Sequence, residues 1–215
     1  MRRILIVALM TLCLIAGCKS TYYATMEQFG KHKRDLLVDR VEEARVDQEE
    51  AKQQFRTALE RFSDVVALKD TQLKSKYDAL KTELDRSEDK AADVAARIDS
   101  VEKVATDLFD EWEAELKQYS SDELRRSSEK QLDQTRDRYD RLMGAMRRAE
   151  QSMQPVLASF RDHVLFLKHN LNAQAIASLQ GELDALQDDT AALIKQMEAA
   201  IEEADVFIKN MRSET

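Results

Sequence analysis

Apolar residues return every three or four positions along almost the whole chain, the spacing of a helix packed lengthwise against another helix. The first run passes through Leu37, Val41, Ala44, Gln48, Ala51, Phe55, Ala58, Phe62 and Val65. A second passes through Leu73, Tyr77, Leu80, Leu84, Ser87, Ala91, Val94, Ile98, Val101, Ala105, Leu108 and Trp112. The third holds Leu132, Thr135, Tyr139, Leu142, Met146, Ala149, Met153, Val156, Phe160, His163 and Leu167. The fourth holds Ile176, Leu179, Leu183, Leu186, Thr190, Leu193, Met197, Ala200, Ala204, Phe207 and Met211. Only four glycines and one proline interrupt 215 residues, and 34% are charged against 6% aromatic, a composition of long helices rather than of a sheet. The expected fold is all-α: an elongated antiparallel bundle or coiled coil of about four long helices. At about 1.5 Å per residue, helices of about 45 residues make rods roughly 65–70 Å long.

Local chemistry places the boundaries. Thr25 and Gln28 have capping-box spacing, so a helix can start there. Between Val66 and Leu73 the apolar spacing slips across Lys69-Asp70-Thr71, which marks a reversal; the alternative is a continuous helix with a stutter. Ser120 can cap a helix with Glu123, with Tyr119 and Leu124 as staple partners, and Asn172 can cap another, with Leu171 and Ile176. Pro155 stands inside the third run, where proline removes a hydrogen bond and clashes with the preceding turn. A kink or break of the third helix is therefore expected near Pro155. Beyond it, Val164-Leu165-Phe166-Leu167 is apolar around much of the helix, which favours a bundle over a two-stranded coil.

The first residues have a different pattern. Arg2 and Arg3 precede an apolar stretch, Ile4 to Ala16, too short to span a bilayer and followed by small residues and Cys18. Leu14-Ile15-Ala16-Gly17-Cys18 resembles the lipobox of bacterial lipoproteins. That resemblance implies cleavage after Gly17, a diacylglycerol on Cys18 and a third acyl chain on the new amino terminus. The expected organisation is a signal peptide over 1–17, a lipidated tether over 18–25 and a single elongated bundle over 26–215. Two or three acyl chains anchor stably where one does not. Lys19 stands where, by the same resemblance, an aspartate would retain the protein at the inner membrane. The inner leaflet of the outer membrane, facing the periplasm, is the expected location, ahead of the inner membrane. The chain ends Arg212-Ser213-Glu214-Thr215 without the terminal lysine of peptidoglycan-linked staples.

Charge and cysteine content narrow the chemistry. The formal charge is −8, and loss of Arg2 and Arg3 would take it to −10. An acidic body argues against nucleic acid, whose affinity comes from a basic face. Residues 119–171 carry ten basic and eight acidic side chains, while 72–118 and 172–215 are clearly acidic. A basic third helix between acidic neighbours suits short antiparallel connections. With Cys13 cleaved and Cys18 acylated, no thiol remains for a disulfide, a nucleophile or a metal.

No glycine-rich loop is present, which excludes the common nucleotide-binding motifs. His163 and His169 are six apart, off a shared helical face, and no Glu-x-x-His occurs, so neither a metal nor any other cofactor is expected. His163 reads most simply as a core histidine. Carboxylates are plentiful, yet on so acidic a chain they read as solvated helix faces, and no enzyme activity is expected. Lys31, Lys33 and Arg34 follow Cys18 closely and are candidates for contact with anionic headgroups, the simpler reading being a solvated first turn. Gln48, Ser87, Thr135 and Thr190 interrupt the seams and are candidates for setting register.

Four stretches carry a wider resemblance: Lys33 to Glu42, Leu124 to Glu129, Met146 to Glu150, and Phe166 to Ala173. They resemble a family of proteobacterial envelope proteins catalogued as domain of unknown function 2959. The resemblance covers nearly all of the chain after residue 17 and implies no activity, cofactor or site. Some members carry names invoking DNA-repair ATPases; a chain with an export pattern and no nucleotide loop does not fit them.

The expected function is a lipid-anchored, periplasm-facing scaffold or protein-interaction module of the cell envelope. Its partners would be the membrane, through Cys18, and an envelope protein, with self-association open. The alternative is a bundle that binds a lipid or other apolar ligand near the Pro155 kink, beside Phe160, Phe166 and Leu167.

Overall fold

A computed structural model of the chain describes residues 32–67, 73–170 and 172–213. The segments 1–17 and 18–25, Cys18, Lys31, the Thr25–Gln28 cap, the Lys69–Thr71 step and Leu171 lie outside the described residues. Four α-helices follow in order: α1 (Lys33–Val66), α2 (Leu73–Leu116), α3 (Asp122–His169) and α4 (Ala173–Ser213). The slip after Val66 is thus the break between α1 and α2. The helices form an antiparallel bundle in which α1 packs on α2 and α4, and α3 packs on the same two. With 48 residues, α3 is about 72 Å long at about 1.5 Å per residue.

Each of the four runs becomes a buried seam. In α1 every residue of the run, Leu37 through Val65, is buried. The other three runs are buried too, apart from Leu73, Tyr77, Trp112, Tyr139 and Leu183, which pack against the core in part, and His163, which is half-buried. Phe55, Phe62, Phe160 and Phe207 are the largest fully enclosed side chains. Burying a side chain of this class contributes about 1.5–3 kcal/mol, so the seams dominate stability. Phe62 meets Phe160 edge-on, with centroids 6.3 Å apart, linking α1 to α3 across the bundle centre.

Ion pairs mark the register on the outside. Between α1 and α2, Arg97 bonds Asp47 and Glu43, Lys90 meets Glu50, and Lys76 meets Asp64. Between α1 and α4, Arg45 pairs with Asp205, Arg56 with Glu198, and Arg212 with Glu42. Between α2 and α3, Arg136 meets Glu113, Arg147 meets Asp99 and Glu102, and Arg161 meets Glu88. On the α2 side, the basic character of α3 is used as its charge suggests. Among the described residues no ion pair joins α3 to α4, so that seam rests on apolar packing.

Three local expectations are corrected. First, α3 is not broken or visibly divided at Pro155: it runs uninterrupted from Asp122 to His169. Pro155 and Gln151, the residue whose carbonyl loses its helical partner, both stand on the exposed face, where water can take that carbonyl. Buried Met153, Val156 and Leu157 hold the helix on either side. Second, the cap of α3 is Ser121, not Ser120; its hydroxyl accepts from the Leu124 N–H at 3.3 Å. Third, Tyr119 and Leu124 form no buried staple, since both are exposed. Asn172 directly precedes α4, and its carbonyl accepts from the Ile176 N–H at 3.2 Å.

Three of the four polar seam residues are satisfied locally. Ser87 donates to the Glu83 carbonyl, Thr135 to that of Gln131, and Thr190 to that of Leu186, each one turn back. Gln48 differs. It is 0% exposed, and neither its Nε2 nor its Oε1 has a hydrogen-bond partner. An unsatisfied buried amide costs about 1–3 kcal/mol. Gln48→Leu should therefore raise the unfolding free energy by about 1–3 kcal/mol in urea titrations. Pro155→Ala should also stabilise, by up to about 3 kcal/mol, because it restores a hydrogen bond without disturbing the seam.

Candidate functional site

The end of the rod where α1 begins gathers most of the distinctive chemistry. Lys33 reaches Glu111 of α2 at 3.1 Å, and its side chain is only 14% exposed. Arg34 donates to the Met211 carbonyl of α4 at 3.4 Å. Both cations are thus engaged with neighbouring helices, while Lys31 and Cys18 lie outside the described residues. Around them Arg34, Asp35, Val38, Asp39, Met211 and Arg212 line a cleft of about 110 Å³, too small for a drug-sized ligand.

Past Lys33, α2 and α3 continue as a hairpin with its own bracing. Trp112 of α2 donates to the Ser128 hydroxyl of α3 at 2.8 Å. Phe109 meets Tyr139 edge-on at 5.4 Å, and the Arg136 guanidinium lies 5.1 Å from the Phe109 ring centroid while pairing with Glu113. Burial, followed by the nearby charge of Glu102, pushes the Tyr139 phenol up to about 12, so it stays neutral. At the turn, Glu115, Gln118 and Tyr119 line an open cleft of about 270 Å³. Trp112 is thus braced inward, whereas Tyr119 is exposed.

The proposed ligand residues do not converge. Phe160 and Leu167 are completely buried in the core, whereas Phe166 is 41% exposed on the outer face. Positions seven apart share a helical face, and the residue beside one of them points about 100° away. Phe160 faces Phe62, which also stacks on His163 at 4.9 Å. The His163 Nε2 lies 3.3 Å from the Ser159 hydroxyl.

Burial pushes the His163 imidazole below its ordinary value, against the opposing pull of Glu182 and Asp162. Arg147 is the counterexample: burial opposes its charge, but bonds to Glu150, Asp99 and Glu102 outweigh this and raise it. Among the described residues, no group of three or more His, Cys, Asp or Glu is placed to hold a metal. None of the described helices is long and apolar enough to cross a membrane.

The model of a family described as a protein of unknown function, DUF2959, matches residues 22–211. The chain belongs to the DUF2959 family. All four stretches that resembled it fall inside the match: one opens α1, one opens α3, one lies mid-α3, and one forms the α3–α4 turn. No curated protein and no solved structure matches the chain. This DUF2959 chain has a braced hairpin at one end and a histidine wedged beside the core.

The lowered value of His163 has a pH consequence. The folded state holds the neutral imidazole, so its stabilisation is complete above the ordinary value of 6.5 and is lost as pH falls through the lower folded value. Urea midpoints at pH 7.5 and 5.5 should drop for the unaltered protein and drop less for His163→Phe, which keeps the stack on Phe62 without a titrating group.

Proposed function

We propose that this chain is a non-catalytic, lipid-anchored helical scaffold or protein-interaction module of the bacterial envelope, facing the periplasm. One observation carries the reading: the chain from Cys18 enters at one end of a rod whose interior is occupied by its own seams. A rod held by its end presents long charged faces to neighbours, as interaction modules do. The tether from Cys18 to Lys33 spans 15 residues, at most about 54 Å at about 3.6 Å per residue. That reach is shorter than α3, so the end at which α1 begins stays within about 54 Å of the membrane.

Lys19 after the cysteine favours the inner leaflet of the outer membrane over the inner membrane. The acidic body supports a protein partner over nucleic acid. The alternative, an apolar ligand beside Pro155, gains no support from the geometry. Phe160 and Leu167 are enclosed by protein, and Phe166 faces solvent.

Cys18→Ser provides the direct test. The unaltered protein should fractionate with membranes and incorporate labelled fatty acid, and the variant should do neither. Membrane recovery of the variant at the original level would overturn the anchor. Crosslinking in cells should then recover specific envelope proteins from the anchored form, and a monomer without crosslinked neighbours would overturn the scaffold.

A further inference from the structure

The α2–α3 tip has a surface that the bundle does not use. Tyr119 is 42% exposed and Leu124 is 59% exposed, on either side of the Ser121 cap. Neither position is loose. Ser121 accepts from the Leu124 N–H, and the Gln118 N–H bonds the Glu115 carbonyl at 2.9 Å. The Trp112–Ser128 bond then clamps the two helices directly behind the turn. An aromatic and an aliphatic side chain are therefore held outward on a stiff mount.

The tip also stands at a particular end of the rod. Lys33, the first residue of α1, lies beside Glu111, and Arg34 beside Met211 near the end of α4. Since α2 runs five residues past Glu111 to Leu116, the hairpin projects about 8 Å beyond the start of α1 at about 1.5 Å per residue. The chain that leads back to Cys18 enters at this same end. With Cys18 acylated, the membrane is attached through this end of the rod, the end at which the hairpin projects.

Charge identifies the kind of surface. From Glu115 to Arg126 the tip carries Glu115, Asp122 and Glu123 against Lys117, Arg125 and Arg126, three of each sign. A neutral tip is not drawn to anionic headgroups over neutral ones. Tyrosine, with an apolar ring and a polar hydroxyl, suits the membrane–water interface, and leucine suits the acyl boundary beneath it.

We infer that the α2–α3 tip is a second contact with the anchoring membrane, inserting Tyr119 and Leu124 at the bilayer interface. This rests on the anchored reading above. Two contacts, the acylated cysteine and the tip, orient the rod where a single attachment would not.

The test uses the full chain, purified from membranes and reconstituted into phosphatidylcholine vesicles with or without brominated acyl chains. Trp112, the single tryptophan, gives the baseline emission. Tyr119→Trp and Leu124→Trp each add an emitter at the tip, and Phe166→Trp adds one near the opposite end. Brominated lipid should quench at least half of the emission added at 119 and 124 and leave that added at 166 unchanged, irrespective of salt. If the protein floats with the vesicles but the tip emission is unquenched, the second contact is overturned and the anchor stands. If the protein does not float at all, both are overturned. Quenching that vanishes in high salt would overturn insertion in favour of surface adsorption.

Discussion

Everything in this molecule depends on the continuous burial of one stripe per helix. No single helix can hide such a stripe, and two would leave Val164 and Leu167 of α3 only partly covered. Four helices in a ring enclose all of them. Alanines at 44, 51, 58, 91, 149, 200 and 204 keep the seams narrow enough for close packing, while phenylalanines at 55, 62, 160 and 207 fill the interior. The outer ion pairs follow from this arrangement and do not create it. Exposed pairs are worth about 0–1 kcal/mol each, so their contribution is to favour one register among those the seams permit.

Much of the fold was legible because the seam is a one-dimensional signal. The residues chosen by spacing in all four runs are those that meet the core, polar interruptions included. Details that depend on direction were harder to read. Two adjacent serines both satisfy cap chemistry, and backbone geometry, not residue type, selects Ser121 over Ser120. The effect of Pro155 turned on which face it occupies, and the proline falls where water can compensate. Phe166 could have been separated from Phe160 and Leu167 by helical angle alone. The unsatisfied amide of Gln48 and the absence of ion pairs between α3 and α4 among the described residues depend on neighbours distant in sequence, which spacing does not reveal.

The two ends of the rod are chemically unequal. At the α1 start, cations are folded onto neighbouring helices and an apolar pair is presented on a braced, neutral turn. Near the other end, Leu165 and Phe166 are exposed on α3, followed by Lys168 and His169. Leu124 and Phe166 are 42 residues apart on one helix, about 63 Å at about 1.5 Å per residue. Because α3 is uninterrupted, that separation is a fixed length. A partner that recognised the far pair would meet the protein well away from the α2–α3 tip.

The placement of α1 also has a mechanical meaning. It lies between α2 and α4, lengthwise to both, and the chain arriving from Cys18 joins it at Lys33. A pull at that point acts along the helix axis, so α1 is loaded in shear against two flanks at once. The clasps of Arg97 with Asp47, Arg45 with Asp205 and Arg212 with Glu42, together with the seam from Leu37 to Val65, then share the strain in parallel and do not open one after another. The bundle is built to resist tension applied at the start of α1.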